Sequence, residues 1–190
     1  MNILYLGIVV FLGAHLFTLL ARPARAGIVA SLGEGPWKLA FTAVSLIGLG
    51  LMIWGLVAVR SGSEPVVMLY DPPTWGRHAA MLLVLLAFLS LAISLHKGRL
   101  KLALKHPMSI AFGLWAIGHL LANGSQAEVL FFGTFLVLAL LDIVVSTARG
   151  HVASFIPKPR HDVISIGAGV LMYLVFLYLL HPLLIGVAVV

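Results

Sequence analysis

The residues of this chain best suited to chemistry are histidines set inside long apolar runs. The densest such stretch is Lys105-His106-Pro107-Met108-Ser109-Ile110-Ala111-Phe112-Gly113-Leu114-Trp115-Ala116-Ile117-Gly118-His119-Leu120-Leu121-Ala122-Asn123-Gly124. As a helix it holds His106 and His119 about 20 Å apart, so one sits at the helix start and the other well inside the apolar run. An ionisable group kept among lipid-soluble residues is costly and points to function. Met108, Phe112, Trp115 and His119 recur at spacings of three or four, which gathers bulky apolar groups and one imidazole on a single helical face. That face suits a haem plane, with neutral imidazole as the iron ligand and a second histidine from another helix of the bundle. It equally suits plain helix contact with one satisfied histidine.

The elements that must carry these side chains are apolar runs, expected at 3–20, 37–59, 74–95, 106–122, 127–147 and 162–180. Of the 190 residues, 62% are hydrophobic and 9% charged, and the mean hydropathy is +1.13. This is the composition of an integral membrane protein rather than of a soluble domain. The fold class predicted is all-α and polytopic, a single bundle of six transmembrane helices forming one domain over 1–190. The first run is expected to be a retained helix rather than a cleaved signal: Arg22 and Arg25 follow it and no basic residue precedes it. Ser45, Gly48, Met52 and Gly55 form a smooth stripe for close helix contact, and the short connection at Asn123-Gly124 predicts an antiparallel hairpin of the fourth and fifth runs.

A net charge of +6 could suggest nucleic acid, but the basic residues are topology signals, not a binding face. Arg22, Arg25, Lys38, Lys97, Arg99, Lys101, Lys105, Arg149, Lys158 and Arg160 follow the odd-numbered runs, and only Arg60 and Arg77 follow the even ones. The positive-inside rule then puts the odd loops in the cytoplasm and both termini outside, on the periplasmic face of an inner membrane. His96, His106, His151 and His161 fall at the cytoplasmic surface. His15, His78, His119 and His181 do not, and depth alone favours His78 as the partner of His119.

Other chemistries find little to work with. There is no cysteine, hence no thiolate nucleophile, disulfide or iron–sulfur ligation. No zinc-protease, nucleophile-elbow, P-loop or dinucleotide motif is present. The six carboxylates are Glu34, Glu64, Asp71, Glu128, Asp142 and Asp162; all but Asp142 lie near run ends or loops, whereas an ion transporter more often carries one at mid-membrane.

Four groups of residues together resemble the NnrU family of bacterial membrane proteins: Gly13-Ala14-His15 with Arg22-Pro23, Pro72-Pro73-Thr74-Trp75-Gly76-Arg77-His78, Lys105-His106-Pro107-Met108 through Gly118-His119-Leu120-Leu121-Ala122-Asn123-Gly124, and His181-Pro182-Leu183. The resemblance implies an inner-membrane protein associated with denitrification and with nitrite and nitric oxide reduction, acting as an accessory, sensor or redox protein. Its partners would be nitric oxide reductase machinery or a small apolar ligand. The same domain is similar to zeta-carotene isomerase, a membrane haem b protein, and that likeness implies His15 and His119 as haem iron ligands; Trp115 and Phe112 come beside the cofactor by their spacing on the helical face, and depth keeps His78 as the alternative partner. Where such an isomerase uses a cysteine near its haem, Ala116 stands here. His106-Pro107 also resembles a motif of membrane methyltransferases that bind S-adenosylmethionine, but Lys105 replaces their arginine and their paired downstream glutamates are missing.

Overall fold

The structure, a computed structural model, describes residues 1–150 and 153–187; His151 lies outside the described residues. Eight α-helices carry the architecture: α1 (Asn2–Leu20), α2 (Arg22–Leu32), α3 (Glu34–Arg60), α4 (Gly76–Leu95), α5 (Arg99–Leu104), α6 (Pro107–Ala122), α7 (Gln126–Ala148) and α8 (Arg160–Val175). A π-turn over Phe176–Leu180 leads from α8 into a last short helix, α9 (His181–Ile185). The five stretches Asn2–Leu20, Glu34–Arg60, Gly76–Leu95, Gln126–Ala148 and Arg160–Ile185 are long and apolar enough to cross a membrane. α6 is apolar but has 16 residues, about 24 Å of helix against a hydrocarbon core of about 30 Å. Large apolar side chains such as Leu6, Val9, Leu46, Ile47, Trp54 and Leu171 are exposed, as surfaces in contact with lipid tails would be.

Two elements depart from the sequence reading. Residues 22–32, read there as loop, form α2; with an alanine-rich composition and Pro23 in its first turn, the segment has both the propensity and the start signal of a helix. It was hidden because its eleven residues, with Arg22 and Arg25 among them, are too few and too polar to read as a membrane run. The last span, expected to stop at Leu180, continues through His181-Pro182 to Ile185. Pro182 lacks an N–H, and its ring crowds the carbonyl four residues back; widening into a π-turn accommodates both.

The helices form two compact units, 1–72 with 123–138 and 73–122 with 139 onward, so α7 contributes its first turns to one and its last turns to the other. In the first unit α1 runs antiparallel along α3. A Cβ on Gly48 would lie 2.6 Å from the Phe11 backbone nitrogen, one on Gly55 2.6 Å from that of Leu4, and one on Gly7 2.5 Å from that of Met52. The expected stripe is this seam: Gly48, Met52 and Gly55 are buried, and the backbones approach because no side chain intervenes. In the same unit the chain after α3 closes over the start of α7. Leu69 N–H donates to Gly124 O at 2.9 Å, Gln126 N–H to Val67 O at 2.8 Å and the Tyr70 hydroxyl to Asn123 O at 2.7 Å. Ser125 and Glu128 form a capping box, with Glu128 N–H donating to Ser125 Oγ at 3.4 Å and Ser125 N–H to Glu128 Oε2 at 3.3 Å.

In the second unit α4 packs along α6 and α8. Ser90 Oγ donates to Pro107 O at 2.7 Å, and Gly118 lies against Ala80 and Leu83. The α6–α7 hairpin expected from the short connection is present here: His106 Nε2 is 3.0 Å from Thr147 Oγ1, Ser109 Oγ bonds Asp142, and Gly113 faces Ala139. Asp142 thus takes its hydrogen bonds from hydroxyls, with Ser146 Oγ donating to its other oxygen at 3.3 Å. Asp162 caps α5 by accepting from Arg99 N–H and Leu100 N–H, both at 3.0 Å.

Between α5 and α6, Lys105 is the one non-glycine with positive φ among the described residues, at 58°, and His106 N–H closes a three-residue turn onto Leu104 O at 2.6 Å. A γ-turn of this hand is rare and strained for an L-residue. Lys105→Gly is therefore expected to stabilise the protein by about 1 kcal/mol. Thermal unfolding in detergent checks it, and a lower midpoint would show that the lysine side chain offsets the strain.

Candidate functional site

A metal-binding imidazole needs its other nitrogen tied down, because that hydrogen bond fixes which nitrogen keeps the lone pair. His15, about three quarters of the way along α1, has Nδ1 2.8 Å from Phe11 O, one helical turn back. A carbonyl only accepts, so Nδ1 carries the proton and the lone pair lies on Nε2. His119 repeats the arrangement on α6, with Nδ1 2.8 Å from Trp115 O. Both side chains are half-buried.

The other histidines differ. His161 Nδ1 accepts from Lys97 N–H at 3.1 Å, which selects the opposite tautomer. His96 ties Nδ1 to Ala92 O, but it caps the end of α4 with its ring 6.0 Å from that of His161. His181 bonds forward to Val187 O near the end of its span. His106 meets Thr147 at the foot of α6, and His78 is exposed in the first turn of α4.

The setting of His15 belongs wholly to the first unit. Its ring lies 4.2 Å from Phe11 and 5.2 Å edge-on from Phe41 (centroid distances), with Phe135 of α7 5.2 Å from Phe11. The α3 residues that face it follow one line: Trp37 stacks on Phe41 at 6.4 Å, Ser45 comes a turn later, and Gly48 then touches Phe11. Aromatic rings thus flank the His15 imidazole on two sides.

In the second unit Trp115 lies 4.9 Å from His119. Met108 and Phe112, expected on the same face, are exposed at 49% and 43%. Ala116, on another side of the helix, is fully buried. Sequence reasoning picked out His15, Trp115 and His119. It missed Phe11, Phe41 and Trp37, whose aromatic spacing along α1 and α3 was the available signal.

A family described as NnrU protein matches residues 3–189. The chain belongs to the NnrU family. The match takes in both units and every histidine of the chain. No curated protein and no solved structure matches the chain.

Proposed function

We propose that this member of the NnrU family is a haem b protein of the bacterial inner membrane, serving nitrite and nitric oxide reduction as an accessory, sensor or redox protein. One observation carries the haem part: two imidazoles inside apolar helices, His15 and His119, each have Nδ1 bonded to the carbonyl one turn back and an aromatic ring alongside. This is the tautomer and the apolar flank that iron ligation in a helical bundle requires. The donor set fits haem in its chemistry as well, since neutral imidazole is an established haem iron ligand and needs no cysteine. His15 and His119 would hold the iron, Phe11 and Phe41 would exclude water around His15, and Trp115 would flank His119. When bound, the haem supplies one-electron chemistry and an iron that nitric oxide can ligate. α6 is taken as the sixth, shorter crossing, with the arginine- and lysine-rich loops in the cytoplasm and both termini outside. The nitrogen-oxide role rests on kinship. Isomerisation of a polyene has less behind it, because the chain offers no thiol where such an isomerase uses one.

Two variants test the reading. His15→Ala and His119→Ala are each expected to lower the haem retained on purification by a factor of roughly 10 to 100, with helix content unchanged by circular dichroism. His78→Ala is expected to retain it in full. Wild-type haem content in both ligand variants would sink the assignment.

A further inference from the structure

Two buried side-chain atoms among the described residues lack any hydrogen-bond partner, Arg25 Nε and Ser45 Oγ. Leaving a buried donor unpaired is costly, and native proteins leave few. Both atoms belong to the first unit, and both are on elements next to His15. Arg25 lies on α2, which single residues, Ala21 and Gly33, join to α1 and α3. Since α1 and α3 are both long and apolar enough to span, α2 is confined to the membrane surface beside the His15 end of α1. The Arg25 guanidinium is 6.0 Å from the centroid of the Trp37 ring, and Trp37 continues through Phe41 to His15. Ser45 follows Phe41 by one turn on the same line. A cation on α2, then an aromatic wall and an unpaired hydroxyl on α3, therefore follow one another from the surface inward, with the His15 imidazole of α1 against Phe41.

The charge on Arg25 is unmatched. Glu34, the carboxylate that senses it, makes its ion pair with Lys38 at 2.9 Å, and no carboxylate lies within ion-pair distance of Arg25 among the described residues. A guanidinium held over an indole ring by cation–π attraction still has its N–H donors for planar oxyanions. We infer that Arg25 is an oxyanion-recognition residue of the His15 site, taking the carboxylate end of an amphipathic ligand whose apolar body lies along Trp37 and Phe41 and whose inner part meets the Ser45 hydroxyl. The inference rests on the haem reading for its ligand: a haem is apolar over most of its plane and carries its two carboxylates on one edge. Arg25 thereby sets which edge of the ligand points to the surface. The same oxyanion chemistry could be met by a lipid phosphate, and the test separates the two.

Full-length protein in phosphatidylcholine nanodiscs is titrated with haem b and with haem b dimethyl ester, which lacks the carboxylates, and binding is read from the Soret band. Wild type is expected to bind haem b roughly tenfold more tightly than the ester, the scale of one charge-assisted hydrogen bond. Arg25→Gln is expected to bind the two equally while keeping the wild-type spectrum. Arg22→Gln, a charge change one turn away, is expected to retain the preference, which guards against a general effect of charge. If wild type binds haem b with no preference over the ester, or Arg25→Gln keeps the preference, the inference falls and the haem reading stands. If neither form binds wild type, the haem reading itself falls, and the inference with it. If Arg25→Gln instead loses co-purifying phosphatidylglycerol in native mass spectrometry while its haem preference is unchanged, the partner is a lipid phosphate and the carboxylate assignment is overturned.

Discussion

Gly48→Leu is expected to prise α1 from α3 and to displace His15 from its aromatic setting in the same step. A Cβ at Gly48 would lie 2.6 Å from the Phe11 nitrogen and 2.9 Å from its Cα, and backbone atoms in mid-helix have no rotamer by which to move aside. Overpacking of a tight contact costs about 1–3 kcal/mol, and the three side-chain carbons of leucine beyond that Cβ should bring the loss to on the order of 3 kcal/mol or more. Phe11 is both the residue struck and the one whose carbonyl accepts the His15 Nδ1 proton, so the change reaches the site directly. Gly48→Ala should show a smaller loss of the same sign. Gly50→Ala is the control: its Cβ would meet nothing within 4 Å, and replacing a mid-helix glycine by alanine there should gain up to about 1 kcal/mol. Unfolding midpoints of the three variants in one detergent decide the matter; equal midpoints for Gly48→Ala and Gly50→Ala would show that the seam yields.

Glu128→Ala is the second large effect. One carboxylate here serves three partners: it closes the capping box with Ser125, pairs with Arg60 at 2.9 Å and bears on Tyr70. Its side chain is 14% exposed and that of Arg60 34%, so the pair is only partly screened by solvent. A lost cap costs about 1 kcal/mol, and an unpaired, half-buried arginine adds to it, for a total of about 2 to 3 kcal/mol. Glu128→Gln keeps acceptors for the cap and loses only the charge, so it should cost less. Tyr70 reports on the charge separately. Burial, and after it the negative charge of Glu128, raise the Tyr70 phenol above its ordinary value near 10. A phenol raised in the folded state favours the neutral form, so its contribution to stability is complete below about pH 10 and is lost as pH climbs through the raised value. In Glu128→Gln the phenolate should therefore appear at lower pH than in wild type, in an ultraviolet difference titration. An unchanged titration would remove Glu128 from the environment of Tyr70.

Much of this could be read from the chain because membrane helices announce themselves. The run 3–20 became α1 with its start displaced by one residue, and Gly48, Met52 and Gly55 pack where their spacing placed them. What the sequence concealed has physical causes. α2 is short and carries two arginines, so it does not stand out as an apolar run. The π-turn at Phe176–Leu180 is a response to Pro182 that a helix-or-break reading treats as an end. The capping box at Ser125 and Glu128 was overlooked because Asn123-Gly124 already supplied a stop signal. At the site, His119 stands out from its place in an apolar run and His15 through the family resemblance, depth alone favouring His78, but the tautomers are not legible: they depend on whether an imidazole turns back to its own helix, as those of His15 and His119 do, or accepts from another segment, as that of His161 does. Arg25 read as a topology charge, and only its position over Trp37 gives it a second role.

The most direct test of the central proposal is the absorption spectrum of the full-length protein purified in mild detergent, recorded oxidised and dithionite-reduced alongside its iron content. The expected result is a histidine-ligated haem b spectrum with iron stoichiometric to the chain. A colourless protein without stoichiometric iron, from cells supplied with haem, would contradict it.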